Sequence, residues 1–312
     1  MLVLVTGCAG FIGSQIVDAL LERGDEVRGL DCFLDYYPRE RKEKNLKAAK
    51  ENPHFSFLED DLMTADMNSI CSDVDAVIHL AAQAGVRASW GQDFSIYCNS
   101  NIQGTQRLLE ACVARKIRVV YSSSSSIYGD AKDFPTSEET LPQPISPYGV
   151  SKLAGEHLSR LYTVSAGVPT ISLRYFTVYG PRQRPDMAFH KFLRAQIEGS
   201  EITLYDDGEQ TRDFTFVADV VRANLLALEN GTPGKAYNIG GGSRVSVNHV
   251  LEIIGRITGV EPKVKRLGKQ LGDVRHTHAA AELAASELQW SPRTGLEEGL
   301  QAEYDWLKQE LA

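Results

Sequence analysis

Tyr148 and Lys152 stand four residues apart in Ser146-Pro147-Tyr148-Gly149-Val150-Ser151-Lys152. On an α-helix that spacing stacks both side chains on one face, about 6 Å apart along the axis. An ammonium so placed can hold a phenol partly ionised and turn a weak acid into a usable base. Pro147 suits the first turn of such a helix. Upstream, the serine run Ser122 to Ser126 lies between the apolar segment ending at Tyr121 and Ile127-Tyr128-Gly129. It reads as the end of a buried strand opening into a crevice, where a hydroxyl can hydrogen-bond a substrate oxygen that loses its proton. The pairing suits a reaction that moves a proton from a carbinol oxygen and a hydride from its carbon.

A hydride needs an acceptor, and Thr6-Gly7-Cys8-Ala9-Gly10-Phe11-Ile12-Gly13 is built to hold one. Gly7, Gly10 and Gly13 fall where a strand turns into a helix, so that backbone N–H groups and the helix dipole face a pyrophosphate. The spacing is GxxGxxG rather than GxGxxG, and glycines also cluster in plain strand-to-helix turns. Asp31 strengthens the case: it ends the second strand, 18 residues past Gly13. A carboxylate there accepts both ribose hydroxyls and repels a 2′-phosphate, which favours NAD over NADP because no arginine follows in Cys32-Phe33-Leu34. The plain alternative for Asp31 is a surface turn carboxylate. Asp61 and Leu62, after the third strand, are placed to meet the adenine. Leu80, Ala81, Ala82 and Gln83, after the fourth, keep side chains small where a cofactor passes.

These residues need a scaffold, and the first half of the chain supplies a βαβ rhythm. Parallel strands are expected at Leu2 to Thr6, Glu26 to Asp31, Phe55 to Glu59, Ala76 to Leu80 and Val119 to Ser122. Helices are expected at Phe11 to Arg23, Glu40 to Lys50 and Ile96 to Ala114. The implied fold is α/β, a doubly wound parallel (Rossmann) sheet with its ligand crevice at the carboxyl ends of the strands. After about Thr170 the spacing loosens. Strands are expected at Ile171 to Tyr175, Ile202 to Tyr205 and Ala236 to Ile239, and helices at Val217 to Glu229, Val247 to Thr258 and Leu296 to Lys308. This predicts a Rossmann domain over 1–170 and a smaller mixed α/β substrate domain over 171–312, with an approximate, interleaved boundary.

Composition narrows the partners. The net charge of -8 disfavours nucleic acid or an acidic membrane, while leaving room for a local arginine cluster that binds a small anion. No stretch approaches the ~18 apolar residues of a membrane span. Met1-Leu2-Val3-Leu4-Val5 is too short for a signal segment and reads as a first buried strand. The five cysteines are odd in number, lack CxxC spacing and stop at Cys112, so reduced thiols in a cytoplasmic protein are expected, with no metal site.

Taken together, TGCAGFIG, HLAAQAGVR, SSSSSIYG, SPYGVSK, RYFTVYGPRQRPDM, TRDFTFVADV, NIGGG and GDVR occur in that order along the whole chain. The chain resembles the extended short-chain dehydrogenase/reductase family, and within it the nucleotide-sugar 4-epimerases. The resemblance implies that Ser124, Tyr148 and Lys152 carry catalysis. It places NAD against Gly7, Gly10, Phe11, Ile12, Gly13, Asp31, Asp61, Leu62, Leu80, Ala81, Ala82 and Gln83, with Phe176 lining the nicotinamide. Ser100 or Asn101 would help position Tyr148 and the cofactor. A homodimer through Ile96 to Ala114 and Pro147 to Ala166 is the family habit.

Within the family, epimerisation, dehydration and decarboxylation all begin by oxidising C4 of a sugar. Dehydratases carry an Asp-Glu pair in the serine segment, and decarboxylases a glutamate where Ser126 stands. Ser125 and Ser126 supply neither, which favours the epimerase. Neutral-sugar epimerases usually have asparagine at the position of Thr177, whereas Thr177, the RPDM segment and Asp35-Tyr36-Tyr37 look like UDP-glucuronic acid 4-epimerases. That likeness implies a UDP-sugar held by Arg87, Ser125, Ser126, Thr177, Arg184, Met187, Phe189, Thr203, Tyr205, Arg212 and Arg275. In it Arg184 faces the uronate, Arg212 and Arg275 the diphosphate, and Met187 to Phe189 with Thr203 to Tyr205 the uracil. Arg182 reads more readily as one half of a surface ion pair. A 4-epimerase of UDP-glucose or UDP-N-acetylglucosamine, a UDP-glucuronate decarboxylase and a non-catalytic nucleotide-binding protein remain as alternatives.

Overall fold

The computed structural model describes residues 1–268 and 272–312. In chain order its strands are β1 (Leu2–Thr6), β2 (Glu26–Leu30), β3 (Phe55–Leu58), β4 (Ala76–His79), β5 (Arg118–Ser124), β6 (Thr170–Tyr175), β7 (Val178–Tyr179), β8 (Ile202–Tyr205), β9 (Thr211–Asp213), β10 (Thr215–Phe216), β11 (Ala236–Ile239), β12 (Arg244–Ser246) and β13 (Val264–Leu267). Seven of them pair in parallel in the order β11-β6-β5-β4-β1-β2-β3. The order reverses between β1 and β4, which opens the crevice of a Rossmann sheet above their carboxyl ends.

Alternation along β1 explains why both faces are covered. Val3 and Val5 point to one core with Ile16, Val17 and Leu20 of helix Phe11–Glu22 and Val220 and Ala227 of helix Val217–Asn230. Leu4 points to the other with Leu108, Leu109 and Cys112 of helix Gly104–Cys112, against which helix Pro147–Ala166 also packs. The smaller lobe has its own core, in which Phe189, Phe192, Leu193, Leu204, Ile254 and Leu300 are buried together. It is built on helices Ala188–Glu198, Val247–Thr258 and Leu296–Leu311 and on the β8–β13 and β9–β12 pairs.

The division at 170/171 does not follow the sheet. β6 and β11 fall past the expected boundary, yet they complete the same parallel sheet; β6 is buried along its whole length and β11 along most of it, with the polar Ser172, Arg174 and Asn238 buried beside the apolar positions. The expected helix Glu40 to Lys50 is broken into Arg39–Asn45 and Lys47–Lys50, with Leu46 between them drawn fully into the core. The expected helix Ile96 to Ala114 also differs. It begins as Phe94–Tyr97, widens into a π-helical turn at Cys98–Gln103 and continues as Gly104–Cys112. Ala188–Glu198 and Glu282–Leu288 are helices that the sequence reading did not expect.

Candidate active site

The crevice holds a cavity of about 400 Å³. Its floor at one end is the turn from β1 into helix Phe11–Glu22. Gly7 sits at φ +70, and a Cβ there would lie 2.8 Å from the backbone nitrogen of Ala81; a Cβ on Gly13 would collide with the Gly7 carbonyl. Only glycine lets the turn close on itself and on β4. Gly10 caps the helix without a side-chain bond, and no acidic residue occupies the first turn. The exposed N–H groups and the dipole therefore face the cavity as an anion cradle. Asp31 lines the same end, its carboxylate fixed by Ala9 N–H at 3.1 Å and Phe33 N–H at 2.9 Å. Each oxygen keeps a lone pair for a ribose hydroxyl. This donor set fits a dinucleotide.

At the opposite end stands the catalytic group. Ser146 accepts the Gly149 N–H at 3.1 Å as the N-cap of helix Pro147–Ala166, and Pro147 fills the first turn, so Tyr148 emerges at the mouth of the cavity. Its phenol shares the cavity with Ser124, the last residue of β5, whose hydroxyl is near enough to favour the phenolate. One turn on, Lys152 is 4% exposed and donates to the Ser122 carbonyl at 2.6 Å. Burial lowers its pKa to about 7. Burial raises the Tyr148 phenol above its ordinary value, against the Ser124 hydroxyl and the charge of Arg184. The base is thus held protonated in the protein alone, and further positive charge in the cleft is what would ionise it.

Asn101, buried in the π-helical turn, ties the two halves of the site together. Its amide donates to the Gln83 carbonyl at 3.0 Å and to Ser151 Oγ at 2.9 Å, and its oxygen accepts the Gln83 N–H at 2.7 Å. The wider turn is what aims this side chain at the loop after β4. Ser100 lines the cavity, and Asn101 does the positioning.

Behind the serines lies a buried charge network. Arg174 on β6 pairs with Glu156 at 2.7 Å, and Glu156 accepts from Ser123 Oγ at 2.6 Å. Arg174 also donates to the Tyr128 hydroxyl at 2.6 Å, which in turn donates to Asn238 at 2.7 Å. Both partners of the ion pair are below a tenth exposed as residues. Removing one leaves an uncompensated charge, so Arg174→Ala should cost about 3–5 kcal/mol. Thermal unfolding is the check, and a melting temperature equal to that of the parent would show that the pair carries no such load.

The structure brings together most of the residues singled out from the sequence. Gly7, Gly10, Phe11, Ile12, Gly13, Asp31, Asp61, Leu62, Leu80, Ala81, Ala82, Gln83, Ser100, Ser124, Ser125, Ser126, Tyr148, Lys152, Phe176, Thr177, Arg184 and Met187 all line the one cavity. Tyr205, Arg212 and Arg275 line a small recess outside it. Arg87 stacks 4.3 Å over the Tyr205 ring and pairs with Asp273 at 2.7 Å, so three arginines gather there from distant segments. Burial lowers the pKa of Arg212, and the charges of Arg87 and Arg275 add to the shift. Asp273 offsets Arg87, and Asp206 and Asp207 offset Arg275 at 3.3 and 2.8 Å, so Arg212 is the arginine of the three with no ion pair among the described residues.

Two residues fall elsewhere. Phe189 is in the small-lobe core, 4.6 Å from the Phe214 ring centroid and 5.3 Å from that of Tyr179, because it opens the apolar face of helix Ala188–Glu198. Thr203 alternates outward between buried Ile202 and Leu204 and faces solvent. Arg182 pairs with Asp18 at 2.7 Å. Cavity residues that lie in none of the sequence motifs are Lys42 and Asp60. Among them Lys42 is 6% exposed and donates to the Leu34 carbonyl at 2.8 Å. A lysine in a short charged helix carries no signal of burial.

Comparison with known proteins agrees with this geometry. A UDP-glucuronic acid 4-epimerase from Bacillus cereus, solved with UDP-glucuronic acid and NAD, superposes with a TM-score of 0.97 at 43% identity, over 99% of this chain and 100% of that one. A UDP-glucose 4-epimerase from Thermotoga maritima, solved with UDP-glucose, gives 0.93 at 36% identity over 100% of both chains. A UDP-glucuronate 4-epimerase of Thermodesulfobacterium geofontis is 37% identical over 99% of this chain and 96% of its own. The profile of the NAD dependent epimerase/dehydratase family matches residues 3–240, the span that carries the glycine turn, Asp31, the serine run and the Tyr148–Lys152 pair. The chain belongs to that family.

Proposed function

We propose that the protein interconverts UDP-glucuronic acid and UDP-galacturonic acid by NAD-dependent 4-epimerisation. One observation carries the reading. The catalytic end of the cavity joins Ser124, Tyr148 and Lys152 to Thr177 and Arg184, and none of the described residues lining that end is a carboxylate. Dehydration or assisted decarboxylation would need an added acid or base there.

When bound, NAD would take the C4 hydride as the proton leaves and give it back to the other face of the ketone, and would add positive charge to the cleft. The residues do the rest. Tyr148 takes the proton of the C4 hydroxyl, with Ser124 bonded to both oxygens, and Lys152 below stabilises the phenolate. The 4-keto sugar turns about its phosphate linkage and shows its other face, and Tyr148 then returns the proton. Arg87, Arg212 and Arg275 hold the diphosphate while the ring turns.

The 4-ketone of a glucuronate is a β-keto acid and loses CO2 when its C5–carboxylate bond aligns with the carbonyl π system. Thr177 and Arg184 hold the carboxylate out of that alignment. A Thr177→Ala, Arg184→Ala double variant should therefore release UDP-pentose in place of part of its epimer. Full epimerase activity with no pentose in the product would remove these residues from that role.

The direct test is incubation of the purified protein with UDP-glucuronic acid, without added cofactor, followed by proton NMR. UDP-galacturonic acid without UDP-xylose is expected. UDP-xylose as the main product, or turnover of UDP-glucose alone, would overturn the reading. A homodimer is part of the proposal, supported by Val150, Leu161 and Val164, which are 46%, 53% and 72% exposed on one face of helix Pro147–Ala166. So is a cytoplasmic location, supported by five cysteines that are all free; no helix of the described residues is long and apolar enough to cross a membrane.

A further inference from the structure

Arg184 does not meet the cavity as a bare cation. Its Nε and Nη2 donate to the two carboxylate oxygens of Asp186 at 3.0 and 3.1 Å, while Nη1 takes no partner among the described residues. Asp186 is itself held from the other lobe: the Tyr36 hydroxyl donates to its Oδ2 at 3.2 Å. The guanidinium carbon lies 5.6 Å from the Tyr36 ring centroid, so the tyrosine supports both members of the pair. Tyr36 fits there because Gly85, at φ +106, has no Cβ to collide with its hydroxyl. Burial pushes the Tyr36 phenol up to about 12, with the Asp186 charge acting in the same direction, so it stays a donor. Burial works against the Asp186 carboxylate, yet Arg184 holds its pKa below the ordinary value and it stays charged.

We propose that Asp186, steadied by Tyr36, is a positioning and specificity-setting residue that limits the grip of Arg184 on the substrate carboxylate. The inference rests on the uronate reading above. For the second face of the 4-keto sugar to be reached, the ring must turn, and its carboxylate must leave the guanidinium in every turnover. An unshared Arg–carboxylate pair is charge-assisted and bidentate, and it strengthens once the bound sugar covers the partly exposed Arg184. Grip of that kind on the ground state tightens binding without raising turnover. With Asp186 occupying the Nε–Nη2 edge, two carboxylates share one cation, and the incoming one is left the Nη1–Nη2 end of a guanidinium whose charge is already partly neutralised. The guanidinium plane is fixed, its charge is partly offset, and the uronate is recognised without being locked in place.

The test is Asp186→Asn, which keeps the shape and removes the charge. Binding is read by calorimetry in a Tyr148→Phe background, where turnover does not interfere. UDP-glucuronic acid should bind about fivefold more tightly, and UDP-glucose should change by less than about twofold. With Tyr148 intact, kcat and KM for the uronate should fall together, the signature of a ground state held too firmly. Tyr36→Phe should move both constants the same way by less, and it carries the test if Asp186→Asn fails to fold. Equal weakening of both sugars, or an unchanged uronate affinity, would reduce Asp186 to a structural role and overturn the inference alone. A parent protein that leaves UDP-glucuronic acid untouched would remove the uronate reading and the inference with it.

Discussion

Tyr148→Phe should lower kcat by about 10²–10⁴-fold while the protein keeps its cofactor. Among the described residues lining the catalytic end, the phenol is the acid–base group that both the Ser124 hydroxyl and the charge of Arg184 push towards ionisation, and no carboxylate there stands ready to take the C4 proton in its place. Removing the oxygen leaves the ring, its edge contact with Tyr97 at 6.3 Å and the N-capped helix turn. The loss should therefore appear in kcat, with little change in sugar affinity or thermal stability. Single-turnover absorbance of the nicotinamide is a sharper readout than product formation, because the variant should fail at the first hydride transfer. A variant that still reduced its bound cofactor at the parental rate would place the base elsewhere, and His79 is no substitute. That imidazole is bonded to Thr6 and Thr105, and burial lowers its pKa to about 3.

The parts of the site that could be read from sequence are those whose geometry is local. Gly7 to Gly13 need only a strand, a turn and a helix; Tyr148 and Lys152 need only one helical turn; Asp31 needs only the end of a strand. What escaped depends on contacts between distant segments. Lys42 looks like any exposed helix lysine until its ammonium is seen on the Leu34 carbonyl. The π-helical turn at Cys98–Gln103 exists to carry Asn101 to Gln83 and Ser151, and a one-residue widening leaves no trace in hydrophobic periodicity. Tyr36 and Asp186 lie 150 residues apart and become one unit with Arg184 only across the cleft. Phe189 is a different case, because its signal was present. Phe189, Phe192 and Leu193 repeat at helical spacing, which marks a core-facing turn rather than a ligand contact.

Lys152→Met should abolish most activity and yet make the protein more stable below neutral pH. The ammonium is buried and forms no ion pair among the described residues; it donates to the Ser122 carbonyl and lies 5.1 Å from the Tyr121 ring centroid. Burial takes its pKa from the ordinary 10.5 to about 7, so the unfolded chain binds this proton more readily than the folded one. Between about pH 7 and 10.5 the unfolded state carries the extra proton, and the stability of the parent rises with pH across that window. Below it both states are charged and the full cost of burial is present, on the order of 4–5 kcal/mol for such a shift. Methionine avoids that cost but leaves the Ser122 carbonyl without its donor, a loss of about 1–3 kcal/mol. At pH 6 the variant should therefore lead by roughly 2–3 kcal/mol, and by pH 10 the parent should draw level or pass it. The other titrating groups are common to both proteins, so the difference between their two melting curves isolates this one residue. A gap that stays constant from pH 6 to 10 would mean that Lys152 keeps its proton in the folded protein. Positive charge from a bound nicotinamide would disfavour the ammonium further, so with the cofactor bound the window should open at lower pH and the low-pH gap between the two proteins should widen.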